Sequence, residues 1–459
     1  MTTSLPLGVD RSAGTPLAAQ ITAQLRESVT SGVLRAGERL PSTRDLAAAL
    51  GVSRTVVTSA YAQLFAEGWL EGRHGSGSYV ADVAPGAPAD PPPPAPSGLA
   101  SFSTASAGPG DGGLIELAAG VPWAEGIDPA MWRRAWRHAG ARPPSPFPDL
   151  YGLPSLRAEL ARYLRRSRGL AVTPDQVLIT RGVSNGLSAV AAALIRPGDR
   201  VGIEEPGYQG GLEVLRRAGA DIVPCRVDAN GVVPGELPSD LRLLYTTPAH
   251  QYPLGGRLPV ARRQALIAWA RAAGAVIVED DYDGEFRYDV APLPALFSMD
   301  PSAVVYLGTT SKILTPVFGA GWVVASPALV ASLAECRRQV SERVPEPVQY
   351  ALLSMLASGD LERHIRKMRL EYARRRAALM ALPGLRGDSA GLHVVLELPA
   401  GRPAAGFAAE AAARGVGVTP ADRYFCGEPT LNAVVLGYGA TPLAQVRRAA
   451  GALRPLLPP

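Results

Sequence analysis

The run VIVEDDYDGEFRYD, residues 276–289, sets three β-branched apolar residues directly before Glu279, Asp280, Asp281, Tyr282 and Asp283. Such a run reads as a buried strand whose C-terminal end is crowded with polar groups. Open α/β folds place ligands at those ends. If the strand continues past Val278, its period of two puts Asp280 and Tyr282 on one face. A carboxylate aimed at a pyridinium nitrogen keeps it protonated, and a tyrosine hydroxyl can bond a ring oxygen. Read alone, the cluster fits a solvated loop or a cation site as well.

The next strand-like run, Ala303–Leu307, leads into Thr309-Thr310-Ser311-Lys312. Among 46 basic residues only Lys312 and Lys367 are lysines, so this chain's ordinary surface cation is arginine. A retained lysine draws notice because an amine can lose its proton and form a Schiff base, whereas a guanidinium cannot. Lys367 lies in the Arg-rich helical stretch His364–Arg376 and reads as a solvated charge. Lys312, beside small hydroxyls at a strand end, does not.

Working outward, strands are expected at Val177–Thr180, Arg200–Glu204, Asp221–Val227, Leu241–Thr246, Ala275–Val278, Ala303–Leu307 and Gly321–Ala325. Helical stretches such as Leu187–Ile195 and Ala261–Ala273 lie between several of them. That alternation predicts an α/β sheet with helices on its faces. Gly182, after the first strand, can open a helix whose free N–H groups face an anion.

Residues 84–113 are rich in Pro, Gly, Ala and Ser and nearly uncharged, a linker between a head (1–83) and a body (114–459). In the head, Thr15-Pro16 is expected to cap a helix carrying Leu17, Ile21, Leu25 and Val29. Ser42, with Asp45 in the capping-box position, starts a second helix that stops at Gly51; Ser53 starts a third. Two short helices joined by a glycine turn make a helix-turn-helix, and the segments around Gly72–Gly77 read as a β-hairpin wing. The third helix then presents Arg54, Thr55 and Thr58 to a major groove. Its N-terminus at Ser53, with Ser42, Thr43 and Arg44, faces phosphates.

Composition bounds the rest. The chain has 459 residues, 47% hydrophobic and 19% charged, which suits a globular protein of two to four domains. No apolar run reaches the ~18 residues of a membrane span, and Met1–Asp10 lacks the pattern of a secretory leader. Cys225, Cys336 and Cys426 are too few and too scattered for a disulfide framework or a CxxC metal site, so no metal is expected and a cytoplasmic setting is. Net charge is +5, yet residues 1–83 hold seven arginines against seven acidic residues. Any nucleic-acid contact by the head rests on a local patch, not on bulk charge.

The head sequence Leu17–Val80, with LPSTRDLA (40–47), GVSRTVV (51–57) and GSGSYV (75–80) in order, resembles the winged helix-turn-helix of the GntR family of bacterial regulators. The resemblance implies DNA contacts at Arg44, Arg54, Thr58, His74 and Gly75. The body motifs ITRGVSNGL (179–187), EEPGYQGG (204–211), TTPAHQYPLGG (246–256), VIVEDDYDGEFRYD and YLGTTSKILTP (306–316) resemble fold-type-I aminotransferases. More narrowly, the whole chain resembles MocR-type regulators, which join the two. That resemblance implies a DNA-binding, homodimeric transcriptional regulator; an active PLP-dependent aminotransferase with an accessory DNA-binding head, and a cofactor-free body serving as a dimerisation platform, are the alternatives. The regulator's body would carry pyridoxal 5′-phosphate (PLP) as an aldimine on Lys312 and sense a small-molecule effector, either PLP itself or an amine. It implies Asp280 at the pyridine nitrogen, Tyr282 at the ring oxygen and Tyr208 stacked on the ring. Thr309 and Ser311 would bond the phosphate, Arg181, Gly182, Val183 and Ser184 would form its cup, and His250 would lie at the cofactor.

This chain departs from the family pattern at three places. Gly319 stands where an arginine usually bonds the cofactor phosphate, Val435 where one grips a substrate carboxylate, and Val183 where a hydroxyl follows the cup glycine. Arg181 is the candidate replacement for the first, and Arg423 or Arg287 for the second.

Overall fold

The computed structural model describes residues 7–73, 77–82, 113–143, 145–289 and 292–458. His74, Gly75 and all but the last residue of the expected linker lie outside them. The chain divides into two compact units, Met1–Ser106 and Ala107–Pro459.

In the first unit the helices are Leu17–Thr30, Thr43–Leu50 and Arg54–Ala66. The first begins one residue later than the sequence suggests. Pro16 is extended, at φ −55° and ψ 137°, and occupies the cap itself, so Thr15 supplies no side-chain cap. Ser42 does cap the second helix: the Asp45 N–H donates to its Oγ at 3.2 Å, and that hydroxyl donates to the Asp45 carboxylate at 2.7 Å. Gly51 ends this helix at φ +61°, a left-handed conformation that glycine adopts without a Cβ clash. The chain then turns into the third helix, whose Val57, Ala60 and Leu64 pack on Ile21 and Leu25 in one core. Tyr61 donates to the Pro41 carbonyl at 2.9 Å and ties the turn to that core. The wing strands Leu70–Arg73 and Gly77–Val80 pair antiparallel, with Leu70 opposite Val80.

The second unit is built on a sheet of eight strands among the described residues. In spatial order they are Val177–Thr180, Gly321–Val324, Val304–Thr309, Val276–Asp281, Leu243–Thr246, Arg200–Glu205, Asp221–Asp228 and Gly231–Val232. The five from Val304–Thr309 to Asp221–Asp228 are mutually parallel; the flanking three pair antiparallel. Side chains alternate between two cores. Ile179, Ile277, Val304 and Tyr306 enter one, and Leu178, Val278, Val305 and Leu307 the other. Burial on both faces explains why these strands read as unbroken apolar runs.

The strands that matter most end together. Leu307 is in register with Asp280, Gly308 with Asp281, Thr309 with Gly321, and Gly321 with Thr180. A second sheet, with Leu385–Arg386, His393–Glu397, Ala433–Gly437 and Thr419–Pro420 in order, belongs to the same unit. No helix among the described residues is long and apolar enough to cross a membrane. No cluster of His, Cys, Asp or Glu there suits a metal ion, and all three cysteines are free.

Candidate functional site: a lysine cavity at the strand ends

A cavity of about 400 Å³ opens where those strands end. It is lined by Lys312, Asp280, Tyr282, Tyr208, Thr309, Ser311, Arg181, Gly182, Val183 and Ser184, together with Ala119, Gly120, Asn185, Thr247, Tyr252 and Pro316. Ten of the eleven residues expected at the cofactor therefore converge; the eleventh, His250, sits behind Tyr282.

The four carboxylates after Val278 part company because the strand runs on to Asp281. Glu279 turns to the first core and accepts the backbone N–H groups of Leu296 and Phe297 at 2.8 and 2.9 Å. Asp281 turns the same way, pairs with buried Arg168 at 2.6 Å and accepts the Tyr306 hydroxyl at 2.7 Å. Asp280 faces the cavity. One of its oxygens accepts the Tyr245 hydroxyl; the other, Oδ1, is buried with no partner. Burial pushes its pKa up to about 7, with Asp281 and Asp283 adding to the rise. A cationic N–H at Oδ1 would reverse that rise and satisfy the orphaned atom.

Lys312 is poised the opposite way. Burial lowers its pKa below the ordinary value, while the carboxylates of Asp283 and Asp280 oppose the shift. Its amine donates to the Gly120 carbonyl at 2.6 Å. Gly120 sits at φ +73°, a conformation that strains other residues, and a Cβ there would crowd Nζ at 3.2 Å.

Opposite the lysine lies an anion cradle. Gly182, at φ +133°, precedes the helix Val183–Leu194, whose first N–H groups have no acceptor within the helix. Thr309 and Ser311 bond each other at 2.9 Å, and a Cβ built on Gly182 would lie 3.5 and 3.9 Å from their hydroxyls. Helix N-terminus and two hydroxyls thus close on one small volume, the arrangement that holds phosphate. Tyr208 is half-buried on the cavity wall; desolvation raises the pKa of its hydroxyl, and neighbouring Ser184 opposes the rise. This donor set fits PLP: an aldehyde-accepting amine, an orphaned carboxylate oxygen, a phenol and a phosphate cradle, all on one cavity.

The departures also have structural form. Gly319 sits at φ +65° after the turn Pro316–Phe318, so its backbone itself disfavours an arginine, by about 1–2 kcal/mol. Val435 packs with Val395, Tyr424 and Ala433, beside Tyr252 and Leu254, in an apolar cluster. Arg181 lines the cavity and pairs with Glu342 at 2.9 Å. Arg287 is buried in pairs with Asp388 and Asp289 at 2.8 and 3.2 Å, and Arg423 is exposed; neither lines the cavity.

Sequence reasoning missed Tyr245, Gly120, Asn185 and Tyr252. A tyrosine inside the strand Leu243–Thr246 gives no sign of its partner, and Gly120 comes from a chain segment without a motif. In the head, Arg44, Ser42, Ser53, Arg54, Thr55 and Thr58 are exposed and Thr43 is half-buried. Arg54 Nε donates to Thr43 Oγ1 at 3.3 Å, linking the two helices on their outer side. The Thr58 hydroxyl is turned back on the Arg54 carbonyl at 2.9 Å.

Comparison with known proteins agrees with both halves. Residues 17–80 match the family described as "Bacterial regulatory proteins, gntR family", and residues 113–385 match "Aminotransferase class I and II". Over 446 residues the chain is 37% identical to the HTH-type pyridoxine biosynthesis transcriptional regulator PdxR of Corynebacterium glutamicum, covering 96% of each chain. It is 34% identical over 475 residues to the "Probable rhizopine catabolism regulatory protein MocR" of Rhizobium meliloti, covering 98% of this chain and 95% of that one. Among solved structures, an archaeal alanine:glyoxylate aminotransferase superposes with a TM-score of 0.69 at 28% identity, covering 75% of this chain and 90% of that one.

The two lysines allow a clean test of the cavity's electrostatics. After reductive ¹³C-methylation, the NMR titration of Lys312 is expected to have its midpoint below the usual lysine value of 10.5. Asp280→Asn should lower it further, because the lost carboxylate favours the ammonium form. A Lys312 midpoint at or above the usual value contradicts this description.

Proposed function

This chain belongs to the MocR type of GntR-family bacterial regulators, transcriptional regulators with an aminotransferase class I and II body, and we propose that it uses PLP bound at Lys312 to control its grip on operator DNA. GntR-type helix-turn-helix regulators bind DNA, and the aminotransferase fold is PLP-dependent in general. The observation that carries the reading is the convergence of Lys312, the unpartnered Asp280 Oδ1 and the Gly182 cradle on one cavity.

Bound there, PLP supplies an aldehyde that captures amines and an electron-withdrawing ring. Lys312 would react as the neutral amine, whose share rises because burial disfavours the ammonium. Asp280 Oδ1 would accept from the ring nitrogen, Tyr282 would donate to the ring oxygen, and Tyr208 would cover the ring; all of them line the cavity. The Gly182 turn, the Val183 and Ser184 N–H groups, Thr309 and Ser311 would hold the phosphate, with Arg181 as the nearby cation.

The site is poorly furnished for an α-amino acid. Its lining holds no arginine besides Arg181 among the described residues; Val435 itself stands behind the lining, whose Tyr252 and Ala119 pack on its apolar cluster, and a carboxylate left unpaired there costs free energy. This favours an effector without a standard α-carboxylate: PLP itself or an amine. A relative named for pyridoxine biosynthesis supports PLP itself. The protein works in the cytoplasm as a homodimer whose two heads meet two half-sites, and the segment between the units passes the body's change to them.

Two outcomes test the two halves. Borohydride reduction of the wild type mixed with PLP should fix the cofactor on Lys312, and Lys312→Arg should trap none, since a guanidinium cannot form the bond. Mass spectrometry placing it on Lys367 overturns the assignment. In the head, Arg54→Ala should weaken binding to an operator fragment selected with the wild type by about 1–3 kcal/mol if Arg54 reads a guanine edge. If it meets only phosphate, affinity falls alike on all sequences and the salt slope shrinks by about one. Unchanged affinity and slope remove Arg54 from the interface.

A further inference from the structure

We infer that Asp283 and His250 form a positioning relay behind Tyr282, fixing the imidazole tautomer so that the tyrosine's own proton is turned into the Lys312 cavity. The inference rests on the cofactor reading above and concerns two residues that do not line the cavity.

His250 Nδ1 lies 2.9 Å from Asp283 Oδ2 and 2.9 Å from the Tyr282 hydroxyl oxygen. All three side chains are buried. An ionised carboxylate only accepts, so the hydrogen between His250 and Asp283 must sit on Nδ1. A nitrogen that carries its hydrogen cannot receive another from Tyr282. The phenol oxygen therefore accepts a share of the Nδ1–H, and its O–H is left to point elsewhere. Tyr282 lines the cavity, so the free direction for that proton is toward a ligand there.

Two further observations agree. His250 Nε2 has no partner in its buried setting. With the hydrogen on Nδ1 that atom is a bare lone pair, which burial tolerates better than an orphaned N–H. The imidazole is also walled in by backbone. A Cβ on Gly391 would lie 2.1 Å from His250 Cε1 and 2.8 Å from Asp283 Oδ2, and one on Gly255 would lie 3.3 Å from Nε2. At 391 only glycine lets the chain press this close.

Other titratable groups face the relay. His393, from the strand His393–Glu397, has its ring centroid 5.3 Å from that of His250, and burial pushes its pKa down to about 4, so it stays neutral near pH 7. Tyr252 meets the rings of both Tyr282 and His393 edge-on. Glu204 acts on Tyr282, and Tyr288 and Tyr438 lie within the field of Asp283. Lys312 feels Asp283 and Asp280 directly, which the test has to separate from the relay.

A bond donated by Tyr282 to the ring oxygen stabilises negative charge there and so loosens the proton on the neighbouring Lys312 nitrogen. The readout is the pH midpoint of the visible absorption band of PLP-loaded protein. Asp283→Asn has two effects. Loss of its charge lowers the midpoint. Release of the tautomer lets Tyr282 donate to Nδ1 instead of the cavity, which raises it. Only the second needs the tyrosine hydroxyl. We expect the shift caused by Asp283→Asn to be more positive by about one pH unit with Tyr282 present than in Tyr282→Phe. Equal shifts in the two backgrounds overturn the relay. Made in His250→Phe, Asp283→Asn should show the charge effect alone; the extra rise surviving there overturns the imidazole's part. A wild type that forms no such band overturns the cofactor reading itself.

Discussion

A β-strand reverses the direction of its side chains at every residue, and the body's chemistry depends on that reversal within Val276–Asp281. Glu279 and Asp281 are driven into one core, Asp280 toward the other face and the lysine cavity. A strand one residue out of register would bury Asp280 against Arg168 and leave Asp281 facing Lys312. Such a slip would also set Val278 where Glu279 now accepts the backbone N–H groups of Leu296 and Phe297, and each buried N–H left unpaired costs about 1–3 kcal/mol. Glu279 thus helps to hold the register that aims Asp280 at the cavity.

The same constraint explains what could be read in advance. Apolar runs bounded by polar residues located the central strands to within a residue or two, since both sheet faces are buried and the runs are unbroken; the exception is Val276–Asp281, which runs three residues past the expected end at Val278 because its polar residues stay in the ladder. Lys312 stood out by scarcity together with its place beside small hydroxyls at a strand end, and Gly182 by its place after a strand. What stayed hidden depends on contacts distant in sequence. Nothing local marks Tyr245 as the partner of Asp280, Arg168 as that of Asp281, or Gly120 as the wall against Lys312. The acidic run looked like one cluster, and only the pleat divides it into one cavity group and two core groups. In the head, the cap at Ser42 was legible as a local pattern, while Pro16 took the cap that Thr15 was expected to fill.

The departures from the aminotransferase pattern are coherent. At Gly319 the backbone is left-handed, so the missing arginine is matched by a chain path that suits glycine. At Val435 the missing arginine is matched by an apolar cluster with Tyr424 and Tyr252. On the proposed reading the cavity keeps the groups that would hold an aldehyde cofactor, while among the described residues its lining offers no arginine besides Arg181 to orient an amino acid, a geometry that can supply several kcal/mol of a barrier. That division suits a body that binds and reports.

The central claim is that occupancy at Lys312 is felt at the DNA. The most direct measurement is operator affinity at fixed salt, with and without PLP, for the wild type and Lys312→Arg. The account predicts that PLP changes the wild type's affinity several-fold and leaves that of Lys312→Arg unchanged, with both binding DNA in its absence. Equal wild-type affinity with and without PLP, in protein shown by its absorption to carry the cofactor, would contradict it.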